Sequence, residues 1–272
     1  MPAVDLEPTG GAGPTCWREV GTGRPIVLVH GWALSARAFG PLIASLARHG
    51  RVLALDLRGH GDAPPAPPRH GIAGHARDLA GLFAARGLEH ALLVGWSMGA
   101  QVALEALPLL GARVAALALL SVTPCFAQRD GWPHGLPATN VRALAARVRH
   151  RPELALRRFF DGMFAPDELT EPERDALAAA VLSAPFSKEA ALDGLEDLLV
   201  ADQRPRLASV RVPTLLVHGE RDPICLPGAS AFVAEAIAGA RRWVLPGVGH
   251  APQLSRPALV SELLARHLAE LP

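Results

Sequence analysis

A chain of 272 residues, 50% apolar and 19% charged, has ample material for a core; this excludes a disordered polymer and suits one larger α/β domain or a domain with an insertion. A net charge of +1 gives no global pull toward nucleic acid or an anionic membrane, and neither is expected as a partner. The three cysteines, Cys16, Cys125 and Cys225, are far apart and in no metal-ligand spacing, and read as reduced thiols of a cytoplasmic protein. The opening residues lack a basic segment followed by an apolar one, so no signal peptide is expected, and no run suits a bilayer span.

In chain order, residues 1–15 are rich in Gly and Pro and read as a flexible tail. Residues 16–20 alternate and read as an edge strand, ended by Gly21-Thr22-Gly23. Residues 25–29 are continuously apolar, as a strand covered on both faces requires, and stop at His30-Gly31-Trp32. A helical pattern over 35–49 closes at Gly50. A buried strand over 51–56 empties into Arg58-Gly59-His60-Gly61-Asp62 and a proline-rich surface loop. A helix is expected over 72–85, a strand over 90–94, a helix from about 101, and a strand over 113–120. Alternation at this spacing builds βαβ units, hence a mostly parallel sheet with helices on both faces. From 123 to 200 the rhythm breaks into helical stretches punctuated by prolines. It resumes with a strand over 212–219, a helix over 229–237, a strand over 241–245 and a closing helix over 257–269. The expected organisation is a tail (1–15), a core (16–122 and 201–272) and a helical insertion (123–200).

Leu92-Leu93-Val94 runs into Gly95-Trp96-Ser97-Met98-Gly99 and then into a helix-compatible stretch. That is a strand, a sharp turn and a helix, with a serine at the bend. The flanking glycines let two backbones approach where a Cβ would clash. The motif alone is weak, and a glycine-rich turn after a buried strand is the competing reading. A serine hydroxyl needs a base, and the base needs an orienting acid. In open α/β sheets ligands sit at the carboxyl ends of strands, so the partners should follow strands. Asp222 stands in His218-Gly219-Glu220-Arg221-Asp222-Pro223, after one strand. His250 stands in Pro246-Gly247-Val248-Gly249-His250, after the next. Ser97, Asp222 and His250 are therefore the candidate catalytic residues. His30, His60 and His218 also follow strands; His30 and His218 precede Gly and read as bonding loop backbone. Glu220 competes with Asp222, while the strand over 113–120 ends without a carboxylate. Asp56 reads as holding its own loop. A tetrahedral intermediate needs two N–H donors, for which the backbones of Met98 and Trp32 are the candidates.

His30-Gly31-Trp32, Asp56-Leu57-Arg58-Gly59-His60-Gly61, Gly95-Trp96-Ser97-Met98-Gly99, Gly219-Glu220-Arg221-Asp222 and Gly249-His250-Ala251-Pro252 together resemble the α/β-hydrolases over nearly the whole chain. The resemblance implies the α/β-hydrolase fold: a mostly parallel central sheet flanked by helices, with a helical lid inserted after the sixth strand. It implies the order Ser, Asp, His, which His60 does not fit, and an Asp of Gly-x-x-Asp aimed at the histidine, which favours Asp222 over Glu220. A narrower resemblance, to the pimeloyl-acyl-carrier-protein methyl ester esterases of biotin synthesis, is carried by the serine motif and by Ser121-Val122-Thr123-Pro124-Cys125-Phe126-Ala127-Gln128-Arg129-Asp130-Gly131-Trp132-Pro133. Arg157-Arg158-Phe159-Phe160 resembles that family's lid, where an Arg-Phe pair faces the substrate. The family reading implies a serine carboxylesterase with no cofactor and no metal, acting on an acyl carrier protein that bears a pimeloyl methyl ester. Ser97 would expel methanol to leave an acyl-enzyme, and His250 would then activate water. The alternatives are a short-chain carboxylesterase, a C–C hydrolase, a cofactor-free haloperoxidase-like enzyme, or a non-catalytic binding module.

Trp32, Leu34, Trp96, Phe126, Trp132 and Phe159 offer apolar surface for a chain of methylenes, with ordinary packing as the competing reading. Residues 141–158 hold six arginines against Glu153, a formal +5 that would steer an acidic partner. Arg157 and Arg158 are the candidate contacts. The competing reading is a solvated basic face, with Glu153 and Arg157 paired and the acidic stretch 167–175 neutralising it. A monomer is expected.

Overall fold

The computed structural model describes residues 15–271. Its strands are β1 (Cys16–Val20), β2 (Pro25–Val29), β3 (Arg51–Asp56), β4 (Ala91–Trp96), β5 (Val114–Leu120), β6 (Thr214–Gly219) and β7 (Arg241–Leu245). They form one sheet in the order β1-β3-β2-β4-β5-β6-β7. β1 runs antiparallel to β3, and the other neighbours are parallel. This is the α/β-hydrolase architecture expected from the sequence. The apolar runs are where they must be: every residue of β4 and β6 is buried. Of the expected tail, only Thr15 falls among the described residues, and it is buried.

Helices α1 (Gly40–Leu46), α2 (Gly71–Ala85) and α3 (Met98–Leu110) connect the first strands. The pattern over 35–49 resolves into a 3-10 turn, Ala36–Phe39, followed by α1. Pro41 lacks the N–H that one unbroken helix would need, so it sits in the first turn of the second piece. Similarly, β6 starts at Thr214 rather than 212, because Pro213 cannot donate to the ladder.

Between β5 and β6 come α4 (Ala138–His150), α5 (Pro152–Asp161), α6 (Glu171–Val181), α7 (Lys188–Val200) and the one-turn α8 (Arg204–Leu207). This helical segment follows the fifth strand, not the sixth. The count differs because a single antiparallel strand, β1, precedes the parallel series among the described residues. Of the prolines that punctuate the segment, Pro152 and Pro172 start helices rather than break them, standing in first turns where the missing N–H costs nothing. Thr170 and Glu173 form a capping box on α6. The chain closes with α9 (Pro227–Ala236), the short α10 (Pro252–Ser255) and α11 (Pro257–Ala269).

The chain leaves β2 toward β3 and then crosses back to place β4 on β2's other side. The loops after β2 and β4 therefore diverge, which opens a crevice at the carboxyl edge of the sheet. Asp56, at the end of β3, ties this edge together. One oxygen accepts the Ala36 N–H at 2.7 Å, and the other accepts Asp62 N–H at 3.0 Å and the Arg18 guanidinium at 2.7 Å.

Candidate active site

Ser97 sits between β4 and α3 with φ 56° and ψ −119°, a left-handed conformation that costs a non-glycine residue about 1–3 kcal/mol. The flanking glycines explain how such a bend packs. A Cβ on Gly95 would lie 2.5 Å from the Gly99 carbonyl, and one on Gly99 would lie 2.2 Å from the Val29 carbonyl. The elbow is thus pressed against the end of β2. The same closeness brings Gly31 against Ser97, where an added Cβ would lie 3.2 Å from the serine's own. Trp32 follows directly, so its backbone N–H belongs to the loop facing the serine. Met98 is the first residue of α3, and its N–H has no acceptor within the helix.

His250 lies in the loop after β7 and Asp222 in the loop after β6. The Ser97 Oγ to His250 Nε2 distance is 2.9 Å, and His250 Nδ1 lies 2.8 Å from Asp222 Oδ2. All three side chains are buried. Burial works to raise the Asp222 carboxyl, but His250 and the hydrogen bonds from His218 and His250 outweigh it and hold the acid well below the usual carboxylate range. Its other oxygen accepts the N–H groups of Ile224 (2.8 Å) and Cys225 (2.9 Å). Asp222 is therefore a fixed anion that orients the imidazole. Glu220 points elsewhere and accepts the Gly247 N–H.

The other strand-end histidines bond backbone. His30 Nδ1 meets the Gly31 carbonyl at 2.7 Å, and its Nε2 accepts the Leu57 N–H at 3.0 Å. Burial, with His60 beside it, pushes His30 down to about 3, so it is a neutral clamp between two loops. His218 Nε2 lies 2.7 Å from the Cys225 carbonyl and 3.2 Å from Asp222.

The aromatic candidates divide. Phe126 and Phe159 line a cavity of about 360 Å³ together with Leu136, Leu144 and Ile224, the last two residues beyond Asp222. Phe159 also meets Trp32 edge-on, with ring centroids 4.8 Å apart. The Trp32 indole donates to the Ala191 carbonyl of α7 at 2.8 Å. Trp96 does not line the cavity: it is buried and donates to the His250 carbonyl at 2.9 Å. Trp132 packs with Cys125 and Ala229 in a separate cluster.

The arginines divide as well. Arg158 and Arg147 line the cavity, and both also line an adjoining groove of about 270 Å³ with His150 and Arg151. Arg157 turns away. It pairs with Asp161, four residues on, and with Asp175 of α6, so its partner is not Glu153.

Three residues escaped sequence reasoning. Glu168, buried in the loop after α5, accepts the Gly249 N–H at 2.8 Å and the Ala165 N–H at 2.7 Å. Met163 offers its carbonyl to the His250 N–H at 2.6 Å. No local pattern announces either contact, because each depends on how the helical segment folds back over the sheet. Cys225 lies beside Ser97, and burial pushes its thiol well above the ordinary range, so it stays protonated. Its place, three residues after an acid able to cap its own turn, was the available signal.

A strained serine, a histidine and a buried acid from three strand ends are the arrangement that hydrolases of this sheet topology use for acyl transfer. The chain belongs to the alpha/beta hydrolase family, whose model matches residues 26–263. Within it, the chain is 34% identical over 256 residues to the pimeloyl-acyl-carrier-protein methyl ester esterase of Nitrosospira multiformis, covering 88% of this chain and 92% of the relative. It is 33% identical over 253 residues to the protein of the same name from Chromobacterium violaceum, covering 92% of this chain and 96% of that one. Among solved structures it resembles an esterase from Exiguobacterium antarcticum, with a TM-score of 0.88, 28% identity, and coverage of 94% of this chain and 96% of that one.

Proposed function

We propose that the protein is a serine carboxylesterase that hydrolyses the methyl ester of pimeloyl-acyl carrier protein. The relatives that carry this name match nearly the whole chain. The observation that carries the reading in the structure is the cavity's mixed lining. It is apolar at Phe126, Phe159 and Ile224, of which Phe159 meets Trp32 and Ile224 donates to Asp222, and basic at Arg147 and Arg158, which also line the groove of Arg151. That combination suits a chain of methylenes whose reactive end reaches the serine and whose other end leads to a phosphodiester on an acidic carrier.

In the first half-reaction Ser97 Oγ attacks the ester carbonyl as His250 Nε2 takes its proton. The Trp32 and Met98 N–H groups receive the oxyanion. Collapse breaks the bond to methoxide, which leaves as methanol with the proton from His250. In the second half, His250 takes a proton from water, the hydroxide adds to the acyl-enzyme, and the free carboxylate departs as Ser97 recovers its proton. The segment 123–200 acts as the lid over the site. No helix among the described residues is long and apolar enough to cross a membrane. Three unpaired, buried thiols accord with a reducing cytoplasm, where a carrier-bound substrate would be met.

The test compares purified protein on the carrier-bound methyl ester and on p-nitrophenyl acetate, with Ser97→Ala as control. A carrier-substrate advantage in kcat/KM that shrinks with added salt is the expected result. Equal turnover of both substrates would instead favour a short-chain esterase, a reading that the esterase named for the Exiguobacterium structure keeps open. Activity surviving in Ser97→Ala would remove the triad.

A further inference from the structure

A small cavity lined in part by Met98, the residue after the nucleophile, holds a second cluster of chemistry that ester hydrolysis does not use. His60 follows β3, His70 stands at the start of α2, and His75 and Asp78 lie on α2 at a spacing that puts them on one face. The rings pack in a chain, with centroids 4.8 Å apart for His70 and His75 and 5.8 Å for His60 and His75. One ligand atom from each of His70, His75 and Asp78 lies within 4.8 Å of the others.

Two of these nitrogens lack a partner. His60 Nδ1 faces the Arg58 carbonyl at 3.1 Å, which fixes the proton there and leaves Nε2 as a bare lone pair. His60 Nε2 and His75 Nδ1 are buried with no hydrogen bond, in side chains only 5% and 6% exposed. Leaving buried polar atoms unmatched costs free energy, so two on one small cavity call for an explanation. The cavity measures about 10 Å³, room for one small ion, and His60, His70 and His75 line it.

We propose that His60, His70, His75 and Asp78 bind a first-row transition-metal dication of the zinc type. Imidazole nitrogens joined by one carboxylate suit such an ion. The outer groups suit it too. The His60 Nδ1–H held by a backbone carbonyl is the arrangement that orients a ligating histidine. Gly74 lets the His70 ring fold onto α2, since a Cβ there would lie 2.6 Å from His70 Nδ1; that leaves Nε2 facing Asp78 Oδ2 at 2.8 Å. The ion takes the place of the proton shared by that pair, and the proton moves to His70 Nδ1. Ligand atoms around a tetrahedral zinc stand about 3.3 Å apart, so the side chains close by rotation from their present separations. Arg58, forked onto Asp78 at 2.9 and 3.0 Å, keeps Oδ1 and yields Oδ2. Asp193 and Asp197 line the same cavity, where Asp193 accepts the Arg69 N–H at 3.1 Å and Asp197 the Ile72 N–H at 2.6 Å. A bound ion would tie the loop after β3 to the first turns of α2, in the cavity that Met98 also lines.

The experiment titrates untagged, chelator-treated protein with Zn²⁺ alone, by calorimetry and by imidazole NMR of the wild-type chain. One ion per chain is expected, with the ring signals of His60, His70 and His75 shifting together. His60→Gln and His75→Gln, checked for folding by circular dichroism, should each weaken binding at least about tenfold, the loss seen when even an outer-shell partner is removed. Substoichiometric binding, unchanged affinity in either folded variant, or shifts confined to His250 would each overturn the proposal. The wild-type NMR decides even if the variants misfold.

Discussion

His250 is held from three directions at once: by Asp222 on its ring, by the Met163 carbonyl on its backbone N–H, and by the Trp96 indole on its carbonyl. Each contact does a different job. In the proposed mechanism Asp222 selects the tautomer that leaves Nε2 free to take the Ser97 proton. Asp222→Asn should therefore lower kcat on the order of 10⁴-fold while leaving the fold intact, measured by steady-state kinetics beside circular dichroism. The backbone contacts fix where the ring stands. Glu168 braces the preceding residue, and Glu168→Ala removes the acceptor of two buried N–H groups. We expect kcat to fall by up to about 10²-fold with KM little changed, and Glu168→Gln to restore most of the loss, because an amide oxygen still accepts. A role confined to overall stability would lower the melting temperature in both variants without separating kcat from KM. Ser97, Asp222 and His250 were legible because each is announced by its own strand end and neighbouring glycine. Glu168 and Met163 were not, because their partners in the His250 loop are eighty or more residues away and no pattern marks a carboxylate that accepts from a distant loop.

Strand-end loops and their helices carry the next level. The elbow works because β4, α3 and the end of β2 share a space with no room for a methyl group. Gly99→Ala must move the Val29 carbonyl or the helix, and it should cost about 1–3 kcal/mol or more in urea denaturation, with activity falling further because Met98 moves with it. The spacing of glycines around a single serine makes this element readable from the amino acids alone. The basic helices are only half readable. Periodicity counts arginines but does not say which ones find acids. The acidic stretch 167–175 neutralises them at one position, where Asp175 engages Arg157; Arg158 and Arg147 line the cavity instead. Reversing charge at Arg147 and Arg158 should lower kcat/KM for a carrier-bound ester about tenfold or more at low salt, with little effect on a short ester. Arg157→Ala should change carrier kinetics far less. Equal effects of the two would remove the distinction between the arginines.

At the scale of the whole molecule, the histidines set a pH dependence that the near-neutral net charge hides. Burial depresses His30, to about 3, and also His60 and His75, from an ordinary value of 6.5. Beyond one another, they face Asp56, Arg18, Arg58 and His70. The unfolded chain takes up protons in this range that the folded chain refuses. Their contribution is therefore complete above pH 6.5 and is lost as pH falls toward the folded values, at on the order of 1 kcal/mol per pH unit for each group. Urea midpoints of metal-free protein should fall steadily below neutrality, and His75→Gln should flatten the slope. A flat wild-type profile would contradict the burial argument. The sheet, its order of elements and its mostly parallel pairing were legible because buried strands alternate with helices at regular spacing. The histidine cluster was not, because it joins a loop to a helix start through contacts that no periodicity records.

The helical segment between β5 and β6 grips the chemical machinery at two points. Ala191 holds the indole of Trp32, and Met163 with Glu168 holds the loop of His250. On the proposed function, specificity and reactivity are thus not separable modules in this chain. Transplanting the segment from a relative with another substrate preference would replace the supports of both the loop proposed to hold the oxyanion and the proposed base. A graft that recruits a new substrate must carry matched counterparts of Ala191, Met163 and Glu168, or it will bind the new ester and turn it over slowly.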